Sequence, residues 1–314
     1  MSLEDIIANY IAQQRSLGKR YSAEVKILAA FRLSVSDVRL RDIRPEMISR
    51  FVERGGTSDE TRSKKFRVLS GLFLFAVTRH QLRTSPMPQR PRKRTYSSYV
   101  PYIYSEAELK RLLAAVPTAT ANSRYVIDAD TLRALLLLLY GAGLRRGEAL
   151  RLKIKDVDIL QSLIHIRGTK FFKTRIVPLS DSLNTVIRTF IERQGNHYSA
   201  GGESRLFSNS DGAALRDTTL GVTFRRLCTI AGIGRKGGAR DQPRMHDLRH
   251  SAAVHRVIAW YRRDADLNDL LPKLATYLGH AGLSGTQRYL TMTQELLAEA
   301  GRRFEAFAGG SRHD

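Results

Sequence analysis

The stretch "SLIHIRGTKFFKTRIVPLS", Ser162 to Ser180, decides the architecture. Its two ends, "SLIHIRG" and "TRIVPLS", are short and rich in β-branched and bulky apolar residues, and they flank a basic "TKFFK". Runs of that length and composition read as strands of a hairpin rather than as helix. The region around residues 155 to 180 is therefore expected to form a small antiparallel sheet. The chain on both sides carries helical signals, so the fold class is mainly α with a small antiparallel β-sheet.

Just upstream, "DADTLRALLLLLYGAG" reads as a buried helix ending at Gly141 and Gly143. "SEAELKRLLAAV" places Glu108 three residues after Ser105, a capping-box start. From Leu183 onward the pattern returns to helices. Further upstream, "SLEDIIANYIAQQRSLG" has a helical stripe at Ile6, Ile7, Tyr10 and Ile11, opened by Ser2. "RPEMISRFVERGG" begins with a proline in its first turn, and "SDETRSKKFRVLSGLFLFAVTRHQL" follows with Ser58 as N-cap. The exposed face of that last helix holds Lys64 and Lys65, which suit phosphate contact or a solvated surface equally well.

Between these regions the texture changes to "RTSPMPQRPRKRTYSSYVP", rich in proline and basic residues and without an acid. It reads as a linker, with Arg92, Lys93 and Arg94 placed to follow a phosphate backbone. The expected organisation is a helical domain over 1–84, a basic linker over 85–103, and a second, α+β domain over 104–314.

Bulk composition points to the partner. Fifty-two Lys and Arg against 30 Asp and Glu give a net charge of +22 over 314 residues. So one-sided a balance favours a polyanion such as nucleic acid. The most apolar run, "ALLLLLYGAGL", is too short to span a bilayer, and no basic amphipathic helix with an aromatic face suggests a membrane surface. The lone Cys228 offers neither an intramolecular disulfide nor a thiolate zinc cluster. "MSLEDIIANYIAQQRS" breaks any apolar leader with charged residues. The expectation is a cytoplasmic protein that meets DNA or RNA, with no membrane partner.

Four separated stretches carry chemistry. In "GAGLRRGEALRL", Arg145 and Arg146 follow a glycine turn, and Glu148 can fix the Arg145 guanidinium or open the next helix. In the hairpin, Lys170 has Lys173 and Arg175 beside it. In "PRMHDLRHSAAVH", His246, Arg249 and His250 fall at i, i+3 and i+4 and share one helical face. A guanidinium in that cluster repels a metal ion and suits an anion. In "PKLATYLGHAGLSGTQRY", Pro272 is expected to start a helix that Gly279 ends, bringing His280 and Tyr289 near one another.

This set lacks an acidic cluster for Mg²⁺ and a GxxxxGK[ST] loop, so no cofactor is expected. It still matches the needs of phosphodiester cleavage by a side-chain nucleophile. A tyrosine can form a phosphotyrosyl ester that conserves the bond energy for rejoining. Its phenol, with an ordinary pKa of about 10, needs neighbouring positive charge. Two arginines would stabilise charge at phosphorus, a lysine or histidine would protonate the departing 5′ oxygen, and another histidine would accept the phenolic proton.

Arg145 in "GLRRGEAL", Lys170 in the hairpin, His246 and Arg249 in "HDLRH", His280 in "LGH" and Tyr289 in "TQRY" resemble, in that order, the tyrosine recombinases of phage-integrase type. The nine-residue interval from His280 to Tyr289 agrees as well. The resemblance covers about Tyr104 to Phe307, with a looser similarity of the N-terminal helices to the family's core-DNA-binding domain. It implies that Tyr289 attacks DNA and leaves a 3′-phosphotyrosyl link. Arg145 and Arg249 would bind the scissile phosphate, Lys170 (or Lys173) would act as general acid, His246 and His280 would assist, and Glu148 would support Arg145. It further implies a C-shaped clamp on duplex DNA and a homo-tetramer on two sites, with or without a partner recombinase. The element served would be mobile, by integration, excision, transposition or resolution. The alternatives are a type IB topoisomerase-like enzyme, which the short N-terminal domain disfavours, and a non-cleaving DNA-binding protein derived from the same fold.

Overall fold

The computed structural model describes residues 2–35, 38–54, 58–89, 100–121, 127–168, 174–195, 201–209, 211–238 and 241–280, with single helical positions at 298, 301, 302 and 305. Arg92, Lys93, Arg94, Lys170, Lys173 and Tyr289 lie outside these residues. The chain divides into two compact units, the first within Met1–Ser98 and the second running from Tyr99.

The first unit packs four helices: α1 (Leu3–Ser16), α2 (Ser22–Val35), α3 (Pro45–Glu53) and α4 (Asp59–Thr78). Local chemistry sets their starts. The Ser2 hydroxyl accepts from the Asp5 N–H while the Asp5 carboxylate accepts from the Ser2 N–H, a capping box. The Ser58 hydroxyl accepts from the Thr61 N–H, and Pro45 opens α3 where no N–H is needed. The core joins Leu28 and Phe31 of α2, Ile48 of α3, and Leu69, Leu72 and Phe73 of α4, all fully buried. Phe31 meets Phe51 and Phe73 edge to face, with ring centroids 5.2 Å and 6.0 Å away.

The second unit is built on α7 (Ala129–Gly141), whose leucines 132, 135, 136, 138 and 139 are all buried. Before it come α5 (Glu106–Ala114), opened by the Ser105–Glu108 capping box, and α6 (Val116–Thr120). After it come the one-turn α8 (Arg146–Ala149) and the sheet. Strands β1 (Val157–Asp158), β2 (Leu163–Ile166) and β3 (Arg175–Pro178) lie in sequence order, both pairs antiparallel. The register sets Leu163 against Pro178 and Ile166 against Arg175. Ile164, Ile166 and Val177 point into the core, the alternation a half-buried sheet requires. Helices α9 (Asp181–Arg193), α10 (Asp217–Ile230), α11 (Asp247–Arg262) and α12 (Leu267–Leu278) complete the unit.

One expectation needs correction. Pro272 does not start the last helix; α12 begins five residues earlier, and Pro272 lies inside it. Asp266 is the N-cap, its carboxylate accepting from the Asn268 N–H. A proline here removes one helical hydrogen bond. Against that cost stands a leucine stripe at 267, 271, 274 and 278, which packs on Val254, Val257 and Ile258 of α11. Burial of the stripe outweighs the missing bond. Among the described residues, no helix is long and apolar enough to cross a membrane.

Candidate active site

The site grows from the end of α12. The last carbonyls of a helix have no partner within it and carry the negative end of its dipole, so they recruit donors and cations. Gly279 ends α12 at φ +67°, and the chain folds back with the Gly279 N–H on Thr276 O and the His280 N–H on Ala275 O, each at 2.9 Å. The next three carbonyls each take a different arginine. Tyr277 O accepts from Arg175 Nε at 3.2 Å, Leu278 O from Arg249 Nη2 at 2.5 Å, and Gly279 O from Arg145 Nη2 at 2.6 Å.

Those arginines arrive from three elements. Arg249 stands in the first turns of α11 and is only 2% exposed. Its other terminal nitrogen donates to Gly143 O at 2.5 Å. Gly143 holds a left-handed turn (φ +58°) where a Cβ would come within 2.8 Å of the Leu278 side chain, so glycine lets this corner close on α12. Two residues on, Arg145 is the N-cap of α8. Arg175 enters from β3.

Glu148 binds two of the three together. Its carboxylate, buried at 5% exposure, accepts from Arg145 Nη1 at 2.8 Å and the Arg145 N–H at 2.9 Å, and from both Arg175 terminal nitrogens at 2.9 and 2.8 Å. Burial alone would raise its pKa. The Arg175 fork and the Arg145 donors overcome that and bring it to about 2.

His246 and His280 flank the guanidiniums. Desolvation first, then the charges of Arg249 and Arg145, bring each imidazole down to about 4. His246 is exposed as a residue, so the cationic neighbours are the firmer cause there. Both rings are neutral at pH 7 and able to accept a proton. The His246 and His250 rings stack edge to face at 4.9 Å. Rigid guanidiniums beside neutral imidazoles can hold a tetrahedral oxyanion and move a proton next to it.

The structure thus gathers Arg145, Glu148, His246, Arg249, His250 and His280. Other residues expected at DNA are engaged differently. Arg175, expected beside Lys173 on the hairpin surface, has a side chain only 13% exposed and turned onto Glu148. Arg146 pairs with Asp217 at 2.5 Å. Lys64 pairs with Glu24 at 3.1 Å, and Lys65 donates to Phe51 O and Arg54 O at 3.1 and 3.2 Å, closing the end of α3. Sequence reasoning missed the inward role of Arg175 and the three carbonyls. "LGH" announced a helix end, yet a backbone acceptor leaves no trace in side-chain identity.

Arg145 and Arg175 braced by the buried Glu148 carboxylate, next to the buried Arg249, on an α+β scaffold make a site suited to an oxyanion. The model of the phage integrase family matches residues 104–295, and the chain belongs to that family, the tyrosine recombinases, enzymes that cleave and rejoin DNA. It is 34% identical to y4rB of Sinorhizobium fredii, described as an integrase/recombinase, over 95% of this chain and 96% of that one. It is 30% identical to the tyrosine recombinase XerA of Thermococcus kodakarensis over 79% of this chain and 77% of its counterpart. Among solved structures, the Tn1549 transposon integrase in complex with a circular intermediate DNA superposes with a TM-score of 0.67 at 16% identity, covering 97% and 99% of the two chains. A lambda integrase dimer bound to a core site gives 0.65 at 19% identity, covering 94% and 97%. These two likenesses show the shared fold.

Proposed function

We propose that this chain is a site-specific recombinase of duplex DNA that works through a covalent 3′-phosphotyrosyl intermediate. The observation that carries the reading is the pinning of Arg145 and Arg249 on the consecutive carbonyls of Gly279 and Leu278, beside two neutral histidines. Preorganised guanidiniums pay no reorganisation when charge develops at phosphorus. Tyr289, nine residues beyond His280, supplies the nucleophile. Its oxygen bonds to phosphorus as the bond to the 5′ oxygen breaks. His246 or His280 accepts the phenolic proton, and Lys170, or Lys173 in its place, protonates the departing 5′ oxygen. Rejoining to a new strand reverses these steps. The cationic side chains perform the charge stabilisation, so the reaction is proposed to need neither metal nor nucleotide. Recombination between two DNA sites calls for four such subunits, and a mobile element is the substrate we favour.

The test is a nicked suicide substrate carrying the element's end sequence. Wild-type protein should accumulate a covalent protein–DNA adduct in the presence of EDTA. Tyr289→Phe should form none while binding DNA with unchanged affinity. Binding without any adduct from the wild type would instead identify a non-cleaving DNA-binding protein.

A further inference from the structure

Glu148 presents a problem of competition. An arginine next to a buried carboxylate favours a two-pronged fork in which both terminal nitrogens face both oxygens. Arg145 does not adopt it. Of the Arg145 guanidinium, only Nη1 reaches the Glu148 carboxylate, at 2.8 Å, and Nη2 turns to Gly279 O at 2.6 Å. The fork is taken by Arg175, whose two terminal nitrogens lie 2.9 and 2.8 Å from the two oxygens.

Arg175 is also tied to the end of α12. Its Nε donates to Tyr277 O at 3.2 Å, and three residues along β3 the Pro178 carbonyl accepts from the Tyr277 hydroxyl at 3.3 Å. The fit is close: a Cβ at Gly279 would stand 2.8 Å from an Arg175 terminal nitrogen and 2.9 Å from its central carbon. One guanidinium therefore joins strand β3, the carboxylate that steers Arg145, and the corner that carries His280.

We infer that Arg175 is a positioning residue for DNA cleavage: by occupying the fork of Glu148 it holds Arg145 in a single-pronged contact, with its outer face turned to the scissile phosphate. This inference rests on the recombinase reading above. Without Arg175, the Glu148 carboxylate is released to draw Arg145 into its own fork, off Gly279 O and away from phosphate. The predicted signature is a defect that neutralising Glu148 partly repairs.

The experiment measures single-turnover cleavage of the suicide substrate at saturating DNA, together with DNA affinity and melting temperature. Arg175→Gln should slow cleavage by about 100-fold, the effect of an ångström-scale misplacement, with affinity changed less than about threefold. Adding Glu148→Gln should recover about tenfold of that loss, because a neutral amide pulls Arg145 less strongly. A purely structural role would make the double variant slower and less stable than either single one. Arg175→Lys keeps the charge without the fork and serves as the second variant if glutamine prevents folding; it should show the same split. Wild-type cleavage rates in Arg175→Gln, or a double variant no faster than Arg175→Gln, would overturn the inference while leaving the recombinase reading intact. Failure of the wild type itself to form an adduct would overturn both.

Discussion

At the scale of single residues, Gly279 is the most constrained position. Its left-handed backbone favours glycine, and a methyl group would strike Arg175. Gly279→Ala should lower stability by about 1–2 kcal/mol, from the backbone cost plus the displaced ion pair, which urea denaturation would measure. Cleavage should fall more than stability, since Gly279 O also anchors Arg145. The histidines give a second prediction. Their folded pKa values lie near 4, below an ordinary value of 6.5, so the unfolded chain binds protons that the folded one does not. Their stabilising contribution is complete above pH 6.5 and is lost as pH falls towards 4. Glu148 titrates lower still, near 2. Wild type should therefore lose more unfolding free energy between pH 7 and pH 5 than His246→Gln/His280→Gln does; equal losses would contradict the neutral assignment. Arg145, His246, Arg249 and His280 were legible in the sequence through the spacing that sets His246 and Arg249 on one helical face and the motif order that resembles the family. The acceptors that hold the arginines were not, because every residue has a carbonyl.

At the scale of elements, the legible features were those set by neighbours along the chain. Ser105 with Glu108, Ser58 and Ser2 each open a helix as their spacing predicts, and the β-rich runs around residues 155 to 180 form the antiparallel sheet. Helix α12 departs from its local signals because its start is decided at a distance. Proline statistics favour a first-turn position, but the leucine stripe from Leu267 to Leu278 finds α11 and extends the helix through Pro272. If burial is what holds the proline in place, its removal should help. Pro272→Ala restores an N–H that can reach Asn268 O and relieves the ring against that carbonyl. Part of this gain is offset by a freer unfolded chain. The net expectation is a stabilisation of about 1 kcal/mol, read as a higher urea midpoint at constant slope. A lower midpoint would mean that the backbone geometry fixed by Pro272 is needed to seat Leu274 and Leu278.

At the scale of the whole molecule, charge is used in two distinct ways. Most of the +22 is spread over the chain and acts as a field, drawing a polyanion through many weak phosphate contacts whose strength falls steeply with salt. Arg249 acts differently. Buried at 2% exposure with its terminal nitrogens on Gly143 O and Leu278 O, it adds little to a long-range field but sets local geometry. Arg249→Lys separates the two uses, because it keeps the charge and discards the planar donor set. DNA affinity and its salt slope should be nearly unchanged, the slope moving by less than about one counterion. Cleavage at saturating DNA should fall by about 100-fold or more, the usual consequence of losing a preorganised donor at a developing charge. Raising salt on the wild type should do the reverse, weakening binding while leaving the cleavage rate of the bound complex untouched. Parallel losses of affinity and cleavage in Arg249→Lys would place that guanidinium among the field charges and leave Arg145 as the sole rigid phosphate ligand of the proposed mechanism.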